Sequence, residues 1–497
     1  MEQIITAGRR FLDSFRRERI FNGVNLVYKN DDDPKTGRKP VRSYIPTWQP
    51  YEIQALAQRG INMVRLGLIW AAVEPQPGVY DDSYLQKIRE YAQLCAQNGM
   101  YVFLDMHQDL YSDLYGDGAP EWATISDGAE YEKPLFVWAE GYFTGEAVHT
   151  AYDHFWANDK AADGVGLLDH FAAMWKHVAA FFADCPNLFG FDILNEPFPG
   201  TIGGTVFWTL VNKMCEVIGR ETGRILQIFE LAGVLGDPEQ LKKLLDVAED
   251  PALFKEVVMS AAEHIQAFDT EVYAPFFQKV AAAIREATPR GIMLMENCYY
   301  SNLGIPCSTP RLVYPDGREE TQFAFVPHGY DVMVDTEAYK AASNQRVDVI
   351  FAEHRRTQER LNCPVLVGEW GAGDGTADEI PHLAHLLETF DQNLWSQTYW
   401  AYGTDKLDKP LMELLTRPYP QAVTGEIRHF GYDRERRRFT MEYEQREAFE
   451  APTVVYLPCA FREIETDGSY RLEQLPGGAA KLLLTTEPGT HRVKIQF

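Results

Sequence analysis

The sequence lacks the features that indicate a membrane-spanning, nucleic-acid-binding or nucleotide-dependent protein. No apolar stretch approaches the roughly 18 residues that a transmembrane helix needs. Acidic residues outnumber basic ones by 72 to 47, so the net charge is −25. This charge argues against binding to nucleic acid or to anionic lipid surfaces, although contact with lipid through apolar loops stays open. No Gly-rich phosphate loop follows the first predicted strand, which disfavours a nucleotide-dependent enzyme.

Cysteine is also sparse. The seven cysteines show no metal-ligand spacing, so neither a zinc site nor a disulfide framework is predicted. Cys298 and Cys307 are close enough in sequence to pair, but two buried thiols are the preferred interpretation. The segment 9–19 carries arginines where a signal peptide has its apolar core. We therefore expect either a cytoplasmic protein or one that is secreted with removal of a signal peptide.

Eight short apolar runs alternate with helical patterns through most of the chain. Helical periodicity is clearest at 84–97, 167–182 and 380–393. The predicted strands are 21–26, 63–68, 101–105, 188–194, 292–296, 323–326, 365–368 and 397–400. Eight strands with helices between them favour a (β/α)8 TIM barrel, formed by residues 1–410, over an open doubly wound sheet.

Two insertions and a distinct C-terminal region interrupt the barrel pattern. The insertion 108–165 is rich in aromatic residues without helical spacing, which predicts a functional loop over the barrel mouth. The insertion 233–288 is amphipathic and predicts a lid or outer-layer helices. Prolines at 410–420 suggest a linker, and short alternating strands within 418–497 predict an antiparallel β-sandwich with a structural or glycan-adjacent role.

Glu196 and Glu369 are the most informative residues, because each follows an apolar run that reads as a buried parallel strand. Carboxylates at the C-terminal ends of barrel strands lie at the mouth, where barrel active sites form. Two such groups can cleave a glycosidic bond, with Glu196 as general acid and Glu369 as nucleophile. A carboxyl group in the acid role needs a raised pKa. The alternative for Glu196 is a residue that caps the next helix.

Arg65 gives the predicted nucleophile a reason to stay ionised. An arginine inside an apolar strand is costly to bury unless it pairs with a carboxylate, so we predict an ion pair between Arg65 and Glu369. Tyr330 is a candidate for a second hydrogen bond to Glu369. Other residues at predicted strand ends are candidates for contacts with sugar hydroxyls or rings: Asp105, His107, Asn195, Glu296 and Trp400.

Three of these candidates, Asp105, His107 and Trp400, have competing interpretations. Asp105 and His107 could contribute to a zinc site, but no second histidine cluster supports a metal. Trp400 could be a core residue instead of the floor under a sugar ring. We predict neither a metal nor an organic cofactor.

The ordered set of strand-end residues resembles glycoside hydrolase family 5 of clan A across residues 21–400. The match consists of Arg on strand two, His on strand three, Asn-Glu-Pro on strand four, His-x-Tyr on strand six, Glu on strand seven and Trp on strand eight. The segments 21–29, 105–109, 195–198, 368–371 and 451–458 are similar to the narrower endoglycoceramidase branch.

This resemblance implies a retaining β-glycosidase that releases a glycan from ceramide, with Glu196 as acid/base and Glu369 as nucleophile. The two carboxyl groups should then lie about 5–5.5 Å apart. By the same resemblance, the residues that hold the substrate are Lys29, Arg65, Asp105, His107, Asn195, Glu296, His328, Tyr330 and Trp400.

Several alternatives and one structural hypothesis accompany this function. The alternatives are a glucosylceramidase or steryl-β-glucosidase of the same branch, a polysaccharide endoglycanase, and an inactive carbohydrate-binding barrel. As a hypothesis, the two insertions form an apolar groove for a lipid tail, with Trp138 and Tyr142 in its wall. We expect a glycolipid as partner and transient contact with a lipid surface, whereas the oligomeric state is not predicted.

Overall fold

A computed structural model describes residues 1–29, 44–135, 137–224 and 237–497. The barrel strands, in chain order, are Asn22–Leu26, Met63–Ile69, Tyr101–His107, Leu188–Asp192, Ile292–Met295, Phe323–Phe325, Leu366–Val367 and Ser396–Tyr399. They form one parallel sheet in which the eighth strand pairs with the first. A parallel bridge between Phe325 and Val365 closes the remaining gap between the sixth and seventh strands. The predicted (β/α)8 barrel is therefore confirmed.

Each predicted strand has a counterpart in the barrel, with shifted ends. The third strand extends to His107, and the fourth ends at Asp192, two residues earlier than predicted. Glu196 therefore lies in the loop beyond the fourth strand, where its φ is +44°. Left-handed backbone is uncommon for a residue with a side chain and is typical of functional sites.

Helices surround the barrel and fill its insertions. The one at Asp82–Gln97 shows how the sequence sets an end, because the Asp81 side chain accepts hydrogen bonds from the backbone N–H groups of Ser83 and Tyr84. The α-helices are Pro50–Gln58, Trp70–Val73, Asp82–Gln97, Glu140–Thr144, Glu146–Trp156, Leu167–Phe182, Thr201–Thr222, Pro238–Leu245, Pro251–Met259, Ala262–Phe268, Ala274–Ala287, Asn344–Leu361, Ile380–Gln392 and Pro410–Leu415. None of the helices within the described ranges is long and apolar enough to cross a bilayer.

Both predicted insertions are partly helical, including the first, for which the sequence predicted a loop. Helices Glu140–Thr144 and Glu146–Trp156 occupy the second half of the first insertion. Of the second insertion, 233–236 lie outside the described residues, and the remainder is helical from Pro238 onward. Both insertions lie on the C-terminal side of the strands that they follow.

The N-terminal end of the barrel is closed by a small hairpin. Strands Ile5–Ala7 and Arg10–Leu12 pair in antiparallel fashion, and the second also pairs with Glu18–Arg19. Phe11 of the hairpin lies 5.2 Å from the ring of Phe189 inside the barrel. The lower barrel interior is thus apolar, and its charged residues lie near the opposite end.

The C-terminal domain is a β-sandwich of two four-stranded antiparallel sheets, as predicted. One sheet contains Tyr419–Ala422, Thr453–Leu457, Ala480–Thr485 and Ser469–Gln474, and the other contains Glu426–Asp433, Arg438–Gln445, Gly489–Gln496 and Glu463–Glu465. The Tyr419 hydroxyl donates to the carbonyl of Gly60, 2.6 Å away. Gly60 precedes the second barrel strand, so the domain docks at the end of the barrel away from Glu196.

The linker predicted at residues 410–420 is wrong for residues 410–415. Residues Pro410–Leu415 form a helix whose Leu411 and Leu415 are buried in the barrel core. Proline is favoured at the first position of a helix, where its missing N–H is not needed. A proline that suggested a break therefore begins a helix here.

Candidate active site

The C-terminal ends of the barrel strands open into one long slot with a cavity volume of about 840 Å³. The predicted site residues that line it are Lys29, His107, Asn195, Glu196, Tyr330, Glu369 and Trp400. Four others are buried beneath the slot instead: Arg65, Asp105, Glu296 and His328. In the structure these four contact other site residues, so their predicted role in direct substrate binding stays a prediction.

Glu196 and Glu369 face each other across the slot. One carboxylate oxygen of each, together with a ring nitrogen of His328, lie within 4.8 Å of one another. An inverting glycosidase needs about 6.5–9.5 Å between its carboxyl groups to admit a water, whereas a retaining enzyme needs about 5–5.5 Å. The spacing matches direct attack by one of the two carboxylates.

Glu369 accepts hydrogen bonds at both of its oxygens. Arg65 Nη1 lies 2.5 Å from Oε1, and the Tyr330 hydroxyl donates to Oε2 at 2.8 Å. Burial raises the pKa of Glu369 above its ordinary value, while the positive charges of His328 and Arg65 oppose that increase. The side chain is thus held in place by donors that favour its ionised form.

Glu196 is positioned through both its side chain and its backbone. Its Oε1 accepts a hydrogen bond from Asn302 Nδ2 at 2.6 Å and lies 3.0 Å from His328 Nδ1. Its backbone N–H donates to Glu296 Oε2 at 2.7 Å. Glu296 therefore stabilises the left-handed backbone that aims Glu196 into the slot.

His328 connects the two glutamates from below. Nδ1 lies 3.5 Å from Glu369 Oε2, and Nε2 lies 3.4 Å from Glu296 Oε1. Burial alone would lower the pKa of His328, but the carboxylates of Glu296 and Glu369 hold it well above its ordinary value. A Cβ at Gly368 would meet the His328 ring at 2.9 Å, so only glycine lets this ring approach the seventh strand.

Arg65 is the central cation beneath the slot, and its side chain is fully buried. It contacts four carboxylates, those of Asp105, Asp192, Glu296 and Glu369, at 2.5–2.9 Å. Its Nη2 also donates to Asn195 Oδ1 at 2.9 Å. An arginine fork fixes the direction of several partners at once, so this residue sets the geometry of the layer.

One wall of the slot combines charge with flat rings. The His107 ring stacks on Trp400 at a centroid distance of 5.0 Å, and Lys29 Nζ lies 4.6 Å from the Trp400 ring centroid. Lys29 also forms an ion pair with Asp109. Burial and the charge of Lys29 act to lower the pKa of His107. The carboxylate of Asp105 outweighs them, so the pKa is raised to about 9. Such a wall offers donors and aromatic faces to a sugar.

Three groups of residues have metal-like geometry among the described ranges: His107, Asp109 and Asp117; Glu196, His328 and Glu369; and Asp105, Asp192 and Glu296. Each group already contacts a cationic side chain. Lys29 pairs with Asp109, and Arg65 contacts the other two groups. Each group therefore already has a cationic side chain of the protein in contact with at least one of its members.

Beyond the two glutamates the slot becomes apolar. Helix Thr201–Thr222 forms one side, and helices Pro238–Leu245 and Pro251–Met259 form another. The apolar half is lined by Leu135, Val137, Trp138, Phe143, Phe207, Trp208, Leu210, Val211, Met214, Leu241, Leu244, Leu245, Phe254, Val257 and Val258. The polar part is the wall around Lys29, His107, Asp109 and Trp400, and Glu196 and Glu369 line the same slot.

The hypothesis about Trp138 and Tyr142 fits only one of them. Trp138 lines the apolar half, and its indole N–H donates to Asp335 across the slot at 2.7 Å. Tyr142 is 0% exposed, and its hydroxyl donates to Gln108 at 3.1 Å. Placing Tyr142 in the groove wall was therefore wrong, because a buried partner for its hydroxyl turns the ring into the core.

Comparison with known proteins gives this architecture a family. Residues 41–223 and 259–406 match the cellulase family, glycosyl hydrolase family 5, and residues 417–495 match the glycoside hydrolase family 5 C-terminal domain. The chain belongs to glycosyl hydrolase family 5. It is an enzyme that cleaves glycosidic bonds, and the resemblance inferred from the strand-end motifs is confirmed.

Full-length relatives place the chain within a branch of family 5. An endoglycoceramidase from Cyanea nozakii is 32% identical over 477 residues, which cover 88% of this chain and 80% of that protein. Endoglycoceramidase I from Rhodococcus hoagii (strain 103S) is 26% identical over 515 residues, covering 98% of this chain and 87% of the other. The structure of endo-glycoceramidase II from Rhodococcus sp., in a cellobiose-like imidazole complex, has a TM-score of 0.73 at 24% identity and covers 99% of both chains.

Sequence reasoning missed several residues of this family 5 site. Asn302 contacts Glu196 from the short 3₁₀ helix Tyr299–Leu303 after the fifth strand, and nothing in its local sequence marks it. Asn25 Nδ2 donates to the carbonyl of Gly368 at 2.9 Å, beside Glu369. Asp192 had a readable signal, because an aspartate inside an apolar strand needs a buried partner just as Arg65 does.

Proposed function

We propose that this family 5 enzyme is a retaining endoglycoceramidase, which hydrolyses the β-glycosidic bond between the glycan and the ceramide of glycosphingolipids. The observation that carries the proposal is that Glu196 and Glu369 line one slot together with a polar, aromatic wall and a large apolar surface. A bond that joins a sugar to a lipid presents the same combination of polar and apolar groups. The endoglycoceramidase names of the two full-length relatives support the same substrate class.

Formation of a covalent intermediate is the first step of the proposed mechanism. Glu369 attacks the anomeric carbon, and the bond between that carbon and the ceramide oxygen breaks. Glu196 gives its proton to the departing oxygen, so ceramide leaves as a neutral alcohol. Arg65 and Tyr330 hold Glu369 by hydrogen bonds at 2.5 and 2.8 Å, which keeps its attacking oxygen in a defined direction.

Hydrolysis of that intermediate is the second step. Glu196, now a carboxylate, takes a proton from a water molecule that occupies the position of the departed ceramide. The water oxygen attacks the anomeric carbon, and the bond to Glu369 breaks. The glycan leaves with its original anomeric configuration, Glu369 is again a carboxylate and Glu196 is again protonated.

The apolar half-slot supports ceramide as the leaving group. A lipid chain gains about 0.8 kcal/mol for each methylene group that it buries. Side chains such as Phe207 and Phe143, whose rings stack at 4.7 Å, offer apolar surface that a polysaccharide cannot use. A polysaccharide endoglycanase needs polar contacts on both sides of the glutamates, and the side beyond Phe207 provides few.

The rim of the apolar half supports contact with a lipid surface as the route by which substrate enters. Leu135 is 82% exposed and Trp208 is 41% exposed, and both line the slot. Ile202, near the start of the helix that carries Trp208, is also exposed. Exposed apolar side chains around an opening are typical of membrane interaction sites.

A substrate panel tests the proposed function. The enzyme is incubated with gangliosides, galactosyl- and glucosylceramide, steryl glucosides and β-glucan, and the released products are identified by mass spectrometry. We expect intact oligosaccharide and ceramide from the gangliosides, and proton NMR should first detect the β-anomer. The Glu369→Gln variant serves as the inactive control.

Each alternative function has its own outcome in the same panel. Release from β-glucan alone would indicate a polysaccharide endoglycanase. Release of glucose only, from glucosylceramide or from steryl glucosides, would indicate one of the other lipid glucosidases. An initial α-anomer would contradict the retaining mechanism.

A further inference from the structure

Asp192 is a carboxylate beneath the slot that the proposed mechanism does not use. It lies at the end of the fourth strand, is fully buried, and places Oδ2 2.8 Å from Arg65 Nε. A carboxylate oxygen from each of Asp105, Asp192 and Glu296 lies within 4.8 Å of the others. Three negative charges at this spacing in a buried site repel one another strongly.

The partners of the four carboxylates around Arg65 are unequal. Asp105 has His107 Nδ1 at 2.9 Å in addition to Arg65. Glu296 has His328 and the backbone N–H of Glu196, and Glu369 has Tyr330. Among the described residues, Asp192 has only Arg65 as a donor, and its Oδ1 is buried without a hydrogen bond. Asp105 Oδ1 also lacks a well-aligned hydrogen bond, but it lies 2.9 Å from Arg65 Nη2.

One carboxylate oxygen of Asp192 nevertheless lies within 4.8 Å of one of Glu296, and both groups are buried. Two ionised carboxylates offer only acceptors, so a hydrogen bond between them requires a proton on one. Burial and the neighbouring Glu296 raise the pKa of Asp192 well above its ordinary value, against the effect of Arg65. Burial alone would raise the pKa of Glu296, but His328 and Arg65 lower it to about 2.

We propose that Asp192 is a protonated carboxylic acid that donates a hydrogen bond to Glu296, and that it acts as a positioning residue for the glycosidase reaction. The pair then carries one negative charge, located on Glu296. Glu296 can accept from Arg65, His328 and the Glu196 backbone, while Asp192 still accepts from Arg65 Nε. The proposal rests on the proposed retaining mechanism, because its consequence is the ionisation state of Glu369.

The functional consequence follows from the position of Arg65. An ionised Asp192 would share the guanidinium charge with Glu369 and would raise the pKa of Glu369 further. A neutral Asp192 leaves more of that charge to Glu369, so the latter ionises at lower pH. The titratable or charged groups that face Asp192 are Arg65 on the second strand, Asp105 on the third, Glu296 on the fifth and Tyr273 from the outer helices.

Two substitutions of Asp192 separate a neutral acid from an anion. Asp192→Asn keeps an acceptor for Arg65 and a donor for Glu296, whereas Asp192→Ala removes both. On a water-soluble aryl β-glycoside, we expect kcat for Asp192→Asn to exceed that for Asp192→Ala by tenfold or more. The acid limb of the kcat/KM profile of Asp192→Asn should stay within about 0.3 pH unit of the wild type, since no charge is lost.

An ionised Asp192 predicts the opposite result. Removal of a unit charge that lies across one guanidinium group from Glu369 would shift the acid limb to lower pH by about one to two units. That shift, or equal activities of the Asn and Ala variants, would overturn the proposal. The aryl substrate makes this outcome independent of whether ceramide is the natural leaving group.

Infrared spectroscopy tests the proton directly and does not depend on any substrate. Protein with ¹³C-labelled aspartate side chains should show, at neutral pH, a carbonyl stretch of a protonated carboxylic acid that is lost in Asp192→Asn. The difference spectrum between wild type and variant isolates this band, because burial raises the pKa of Asp269 to about 7 and Asp269 contributes equally to both proteins. Absence of the band from the difference spectrum would overturn the proposal, even if the glycosidase mechanism itself holds.

Discussion

The polar and apolar halves of the slot are built from different parts of the fold. The polar half and the glutamate pair consist of side chains at strand ends, and each is held by hydrogen bonds or ion pairs to other strands. The apolar half consists of side chains on helices Thr201–Thr222, Pro238–Leu245 and Pro251–Met259 and on the segment around Trp138, which pack together largely without directional bonds. Chemistry thus depends on the barrel, whose strand positions are rigid, and recognition of the leaving group depends on the helices and loops around its mouth.

The support of the apolar half differs in the same way. One buried arginine, Arg346, connects two of its elements by contacting Asp331 at 2.6 Å and Glu249 at 2.8 Å. The Ser343 hydroxyl donates to Glu249 as well, at 2.7 Å. These contacts fix the outer face of the lining helices, whose groove-facing side chains are mainly apolar. An apolar guest can therefore pack against these side chains without breaking the contacts of Arg346.

The largest expected effect comes from removal of the nucleophile. Glu369→Gln keeps the size of the side chain and one of its two acceptor oxygens but cannot attack the anomeric carbon. We expect kcat to fall by about 10⁴-fold or more on both glycolipid and aryl glycoside. Binding of ceramide, measured by fluorescence titration with a labelled lipid, should remain because the apolar half is unchanged. Loss of ceramide binding in this variant would contradict the separation of the two halves.

Replacement of the general acid should separate substrates by their leaving groups. Glu196→Gln cannot protonate the ceramide oxygen, so turnover of a glycosphingolipid should fall by about 10²–10⁴-fold. An aryl glycoside with an acidic phenol needs no protonation to leave, and its burst of phenol release should be nearly normal. A pre-steady-state measurement of phenol release checks this, and equal loss of both activities would contradict the acid role.

Removal of an apolar wall should affect only lipid substrates. Phe207→Ala removes a ring that lines the groove, and loss of about 1.5–3 kcal/mol of burial predicts a fall in kcat/KM of about 10–100-fold with glycosphingolipid. Aryl glycoside turnover should be unchanged within a factor of about two. Thr205→Ala, an exposed position on the same helix that does not line the slot, is the matched control.

Tyr142→Ala extends this comparison from the groove to the core. Because Tyr142 is buried beneath the slot, we expect a lower melting temperature and similar losses on both substrate types. A selective loss of turnover with glycosphingolipid in this variant would contradict the core assignment and indicate that Tyr142 contacts the lipid.

The smallest expected effect is the dependence on pH. Glu369 must be ionised to attack, and its pKa is raised above the ordinary value of 4.5. Activity should therefore fall with decreasing pH along a limb whose midpoint lies above pH 4.5, by about tenfold per unit below it. Inactivation by a fluorinated glycoside that traps the nucleophile should follow the same limb. Lipid binding should follow this limb less closely, because the acidic residues in the lining near the apolar half are Glu140 and Asp335 rather than Glu369.

Residues whose roles depend on a strand end were predictable from sequence. A buried parallel strand reads as a short apolar run, and barrel strands all present their last side chains at one mouth. Glu196, Glu369, His107 and Trp400 follow such runs, so their convergence needs no knowledge of the loops. Arg65 was readable for a different reason, because a charge inside an apolar strand requires a partner.

Residues whose roles depend on long connections were not predictable. Asn302 reaches Glu196 from the short 3₁₀ helix Tyr299–Leu303. Helix Thr201–Thr222 forms a wall of the groove, although its sequence does not differ from that of an ordinary outer-layer helix. Tyr142 and Trp138 lie four residues apart, yet one is buried and the other lines the groove. Burial of a ring depends on which distant segments pack against it, and no local pattern contains that information.

The amino-acid sequence alone thus specified the barrel, the sandwich, the glutamate pair and the arginine beneath it, because each arises from periodicity or from the cost of burying charge. The tertiary structure alone decided which side of the glutamates is apolar, which aromatic rings face the slot and which carboxylates share Arg65. Those properties are distances between segments far apart in the chain, and such distances exist only after the barrel has closed.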